Sequence, residues 1–211
     1  MKNLKQLMLV ITALVSFPLY VSADVYTDEY GNKLEYRIIN GNEVEITKAE
    51  ASSIGDGSVR IPDFISELPV TSIGESAFAF TGFKEVVLPD NLKSIGESAF
   101  ESSGLKSIEF PQSLESIGAS AFKDTGLTAV EWPDKVTEIP ESCFEDCDCL
   151  VSVKIPETVL SIGARAFCIV YSDSELLSID LPTSLISIGE YAFSRRPLTS
   201  VDIPATVTSI G

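Results

Sequence analysis

The sequence predicts a mainly-β repeat solenoid, and three observations carry that prediction. The dipeptide Ile-Gly returns at Ile73-Gly74, Ile95-Gly96, Ile117-Gly118, Ile162-Gly163, Ile188-Gly189 and Ile210-Gly211, with Ile139-Pro140 filling the one gap, in steps of 22, 22, 22, 23, 26 and 22 residues. Units of that period are too small to bury an apolar face alone, so they stack and share one interior. Each unit also repeats a short alternating segment closed by proline. Finally, 211 residues with 45% apolar content suffice for one such array without a second domain.

The first residues stand apart from the array. Lys2 and Lys5 precede an apolar run from Leu7 to about Leu19, and Val21-Ser22-Ala23 puts small residues where a signal peptidase cuts. The run is shorter than the ~20 residues a membrane span needs and is interrupted by Pro18. Residues 1–23 therefore read as a secretory signal cleaved near Ala23, which predicts a secreted or cell-surface protein. No cysteine lies near the cut for lipid attachment, and no later apolar run could cross a bilayer, so the mature chain is expected to have no transmembrane span. Losing Lys2 and Lys5 leaves 13 basic against 31 acidic residues, a net charge of −18. Such a chain repels nucleic acid and anionic membrane surfaces, and its acidity reads first as solubility outside the cell.

Residues 24–55 read as a cap. Leu34–Ile39 and Glu43–Thr47 flank Asn40-Gly41-Asn42, a β-hairpin signal. The array occupies residues 56–211 and opens on a degenerate unit with Ile61-Pro62, where Asp56 replaces the Leu or Phe of other units. In the unit from Leu105 to Phe122, Leu105, Ile108, Phe110, Leu114, Ile117, Ala121 and Phe122 are the inward positions. Ile108 and Phe110 alternate with polar Ser107 and Glu109, which is the period of a strand. The strand recurs as Val86-Leu88, Val130-Trp132, Val153-Ile155, Ile179-Leu181 and Val201-Ile203, each closed by a proline that ends the pairing. The glycine after the second isoleucine suits a tight corner, and the GESAF-like piece that follows predicts about one helical turn. The last unit stops in mid-rung at Ser209-Ile210-Gly211 without a polar cap, which predicts a fragment of a longer array or end-to-end self-association.

These residues, L-x-x-[VI]-x-[IFLW]-P-x-x-[VL]-x-x-I-G-x-x-A-F, resemble the BspA-type leucine-rich repeat of bacterial surface proteins over roughly residues 56–211, with six clear rungs. The resemblance implies a right-handed leucine-rich-repeat solenoid with a parallel sheet on one face and short helical turns on the other. It also implies a secreted or surface-exposed protein that binds other proteins, often as an adhesin, and it offers no catalytic motif or cofactor. Pro140, where glycine is usual, and about three extra residues within Tyr171–Glu175 depart from the pattern.

Outward strand positions are the candidate binding residues, because stacking brings equivalents to about 4.8 Å. They are Glu85, Glu109, Glu131, Lys154, Asp180 and Asp202, with Lys84 and Lys106 nearby; Glu85 is out of register, two residues before Val87, which takes the slot. This stripe either grips a partner or keeps an exposed sheet soluble. A second row, Glu75, Glu97, Glu141 and Glu190, reads as a solvated edge. An alternative function is a polysaccharide-acting enzyme pairing carboxylates on adjacent rungs, such as Glu109 with Glu131 or Asp180 with Asp202. Against it, a ladder repeats one environment where catalysis needs two, and the chain has no histidine for a nucleophile relay or an imidazole metal site. No catalysis is expected.

Four cysteines fall on two neighbouring rungs. Cys143 holds the alanine slot of Ala77, Ala99, Ala121, Ala166 and Ala192 and is placed inward. Export favours a bridge of Cys147 or Cys149 with Cys168; zinc is the rival, with an unfamiliar ligand spacing. Trp132 takes an inward strand position, and Arg195-Arg196 predicts a small basic spot.

Overall fold

The computed structural model describes residues 24–53, 56–170, 176 and 178–211. The signal segment and the Tyr171–Glu175 insertion lie outside the described residues. Strands β1 (Asp24–Thr27), β2 (Lys33–Ile39) and β3 (Glu43–Glu50) form an antiparallel cap. The turn between β2 and β3 has Asn40 at φ 52° and Gly41 at φ 76°, and the Asn42 N–H donates to the Ile39 carbonyl at 3.3 Å. Asparagine and glycine tolerate this left-handed backbone, which the hairpin signal anticipated.

The array stacks in three columns. One is the predicted proline-closed strand. Ser58–Arg60 pairs in parallel with Glu85–Val87, Glu85 bridges to Ser107, Ala129–Glu131 pairs with Ser152–Lys154, and Ser178 bridges to Ser200. The opening rung is thus real, with Val59 opposite Val86 and Ile61 buried. A second parallel column runs through the Ser-Ile dipeptides, and sequence reasoning did not foresee it. Ile46 of β3 is in register with Ile73, followed by Ile95 and Ile117; beyond a break, Ile139, Ile162, Ile188 and Ile210 continue. The cap is therefore joined to the solenoid through this column. Asn32 fastens its other side, donating to Asp28 Oδ2 at 2.8 Å and the Ser58 carbonyl at 3.1 Å while accepting from the Ser52 N–H at 2.8 Å.

The third column holds the Ala-Phe pieces, and here the expected helical turns are replaced by β-turns; no helix occurs among the described residues. Ser76, Ser98, Ser120, Ser142, Arg165 and Tyr191 all have φ between 52° and 58°. A left-handed residue inside the piece prevents a right-handed turn from propagating. The Ala77 N–H instead closes a turn on Gly74 O at 3.3 Å with Ser76 at its third position, as in a type II turn. Phenylalanine N–H groups then donate to the next rung: Phe78 to Ala99 O at 2.7 Å, Phe100 to Ala121 O at 2.8 Å, Phe144 to Ala166 O at 2.8 Å. Their rings stack from Phe78 through Phe100, Phe122, Phe144 and Phe167 to Phe193, with centroids 5.0–5.7 Å apart. The predicted inward positions of the 105–122 unit are buried, except Phe110, which is half-buried.

The repeated glycine has a different reason from the one its position suggested. Among the described glycines only Gly31, Gly41 and Gly57 have positive φ. At the corner, a Cβ on Gly118 would sit 2.5 Å from Glu97 N, and one on Gly163 would sit 2.5 Å from Glu141 N. Glycine is needed because consecutive corners touch backbone to backbone. Each corner N–H also donates to the preceding rung, Gly96 to Ile73 O at 2.8 Å and Gly163 to Ile139 O at 2.7 Å. Pro140 has no such donor and adds a ring where the contact is tightest, and the Ser-Ile sheet breaks between Ser116–Ile117 and Glu138–Ile139.

Candidate ligand-binding face

Proline after each strand turns the chain away, so the strand's outward residue and the following turn form a rim over the inward residue. Between successive rims run two open grooves. The larger, about 1340 Å³, is lined by Ile108–Leu114, Ala129–Lys135, Ser152–Ile155 and Asp180. The smaller, about 460 Å³, is lined by Arg60, Asp63, Glu85–Leu88, Asp90 and Ser107–Pro111. Ile108–Pro111 belongs to both, so the two are continuous along the strand face.

The predicted stripe is distributed over this surface. Glu109, Glu131, Lys154 and Asp180 are exposed and line the larger groove. Glu85 is exposed on the smaller groove, opposite Ser58 and Ser107, while Val87 pairs with Arg60 in the stripe's slot. Asp202 is exposed one rung beyond and lines neither groove. The Glu131 and Lys154 side chains, 81% and 76% exposed, form a 3.3 Å ion pair, so the rung neighbour of Glu131 in register is a cation. Glu75, Glu97, Glu141 and Glu190 are exposed as a solvated row.

The groove floor was not assigned to the site from sequence. Trp132 is 4% exposed, its indole N–H donates to Val136 O at 3.0 Å, and its ring meets Phe110 and Phe144 edge-on at 6.1 and 5.8 Å. It is a core residue, as expected, and also the groove's floor. The turn residues Asp63, Asp90, Asp134 and Lys135 were missed as well; the signal was the acidic residue that follows Pro62, Pro89 and Pro133.

The cysteines line neither groove and fall within or after the Ala-Phe pieces. Cys143 is fully buried in the alanine slot, and burial pushes its thiol well above the ordinary range. Cys147 stands where earlier rungs have Thr81, Ser103 and Thr125. Its thiol contacts Phe122 O at 3.0 Å and Thr125 Oγ1 at 3.3 Å, and burial pushes it up to about 11. Cys168 is buried near Ile169 O, also raised by desolvation, and Cys149 is exposed. Among the described residues no group of three or more His, Cys, Asp or Glu side chains is placed to hold a metal ion. The expected basic spot is only half present. Arg195 is exposed and donates to Val170 O, whereas Arg196 is 7% exposed and donates inward to Phe167 O at 2.6 Å, Cys147 O at 3.1 Å and Phe144 O at 3.4 Å. Desolvation lowers the Arg196 pKa from its usual value. No helix of the described residues is long and apolar enough to cross a membrane.

Known proteins match this architecture. The family described as BspA type leucine rich repeat region matches residues 71–169 and 168–211, in 6 copies. None of the curated proteins matches in sequence. Among solved structures, a leucine rich cell surface protein from Faecalibacterium prausnitzii A2-165 is 24% identical over 89% of this chain and 55% of its own, with a TM-score of 0.56. A leucine-rich repeat protein from Bacteroides ovatus ATCC 8483 is 25% identical over 84% of this chain and 54% of its own, TM-score 0.56. The pneumococcal vaccine antigen PcpA is 21% identical over 87% of this chain and 51% of its own, TM-score 0.70. The chain thus spans about half the length of these structures, which share its fold. With family repeats covering most of the array, the chain belongs to the BspA-type leucine-rich-repeat family.

Proposed function

We propose that this chain is an exported or cell-surface binding module that recognises another protein across its grooved strand face, without catalysis. The observation that carries the reading is the continuous groove pair on the strand face, rimmed by Glu109, Glu131, Lys154 and Asp180. Export rests on the signal-like residues 1–23 and accords with the description of the F. prausnitzii neighbour as a cell surface protein. Residues 24–55 act as the cap and 56–211 as the binding array. Binding is favoured over carbohydrate cleavage because Glu131 is solvated and paired with Lys154, where a catalytic acid needs a carboxyl shielded from water. The test is capture from bacterial and host-cell surface extracts by the mature chain. A variant reversing Glu109, Glu131, Asp180 and Asp202 to lysine is expected to lose the partner that wild type retains. Equal capture by both, with unchanged circular dichroism, overturns the assignment of this face.

A further inference from the structure

We infer that the strand-face groove takes an extended, basic peptide segment laid across the rungs, its cations on the rim and its apolar side chains on the Phe110–Trp132 floor; this rests on the binding reading above. The first support is shape. The two grooves share Ile108–Pro111 and run from Arg60, past Val87, Glu109, Glu131 and Lys154, to Asp180. Five steps at the ~4.8 Å spacing of stacked strands give about 24 Å, the length of roughly seven extended residues at ~3.3 Å each. That is a track for a peptide strand. The second support is the floor, where Phe110 is half-buried beside Pro111 and Trp132. The Trp132 indole N–H is already satisfied by Val136 O, so the indole adds apolar edge to the floor and no free donor.

The third support is charge. Glu109, Asp134 and Asp180 face the larger groove, and Asp63, Glu85 and Asp90 the smaller. Lys154 is engaged by Glu131, which leaves Arg60 and Lys135 as the opposing cations of the lining. Within the net charge of −16, the rim draws cations and repels polyanions. The ~4.8 Å rung spacing is shorter than the ~6.6 Å between alternate side chains of an extended peptide, so the segment bears lysine or arginine interspersed with apolar residues in no strict repeat.

The probe is a blocked heptapeptide alternating lysine with phenylalanine and valine, compared with versions carrying serine or glutamate in place of lysine. Binding is read by calorimetry and by amide shifts of the full chain. The lysine peptide is expected to move amides of Ile108–Glu109 and Ala129–Trp132, and to weaken with added salt. It should bind a folded E109K/D180K variant about tenfold less tightly, since rim charges contribute modestly each. If the serine peptide moves the same amides with equal affinity, the charge inference falls and the strand-face reading stands. If neither peptide moves groove amides and the reversed variant still captures its partner, both fall.

Discussion

Single positions decide how closely the rungs approach. Gly118 and Gly82 are the same residue type with opposite surroundings: a Cβ on Gly118 meets backbone at 2.5 Å, while one on Gly82 meets nothing within 4 Å, and neither has positive φ. Backbone cannot yield as a flexible side chain does, so Gly118→Ala is expected to cost about 1–3 kcal/mol. Gly82→Ala is expected to be neutral or to gain up to about 1 kcal/mol through the unfolded state. Urea unfolding of the two variants beside wild type checks both signs, and equal losses would refute the close-contact account. The sequence showed that glycine recurs at the corner but not why, because a contact between two backbones leaves no trace in one chain's periodicity. The left-handed serines were hidden for a related reason: Ser76, Ser98 and Ser120 read as ordinary helix-compatible residues, and only the turns they close reveal the conformation.

Among elements, the proline-closed strands were legible because alternation and proline mark them locally. The Ser-Ile column was not, since two residues are too short a run to display a period. Its break was foreshadowed by Pro140 standing for glycine. In the intact stretches the Leu160 N–H donates to Thr137 O and the Ile186 N–H to Leu160 O, each at 2.8 Å. The sheet is interrupted on the other side of Glu138–Ile139. Amide exchange in the native protein is therefore expected to be at least about tenfold faster at Thr137 than at Leu160 or Ile186, corresponding to roughly 1.4 kcal/mol of local protection. Equal protection would show that the column closes across Pro140 in solution. The candidate site was legible at its rim, where Glu109 and Asp180 are outward by alternation. Its floor was hidden because an inward residue such as Trp132 is core by pattern, and only the turn that follows leaves it under a groove.

At the scale of the molecule, the phenylalanine stack is the thread that joins the rungs. Phe144 lies mid-stack, fully buried, 5.7 Å from Phe122, 5.4 Å from Phe167 and 5.8 Å from Trp132. Phe144→Ala is expected to cost about 3–5 kcal/mol. Because arrays unfold by nearest-neighbour coupling, and this rung already lacks its Ser-Ile pairing to the rung before, the loss should split one unfolding transition into two. A single transition with an unchanged denaturant slope would argue that coupling runs through other columns. The step from Ile162 to Ile188 is 26 residues and that from Ile95 to Ile117 is 22, yet both pairs sit directly opposite each other. The added length falls in the sequence between Phe167, which still stacks on Phe193, and Ile179, nine residues before Ile188 as Val153 is nine before Ile162, while the corner keeps time. That interval of the sequence is where a foreign epitope can be spliced into the chain without disturbing its beat, and where lineages can vary in length while the pitch of the coil stays fixed.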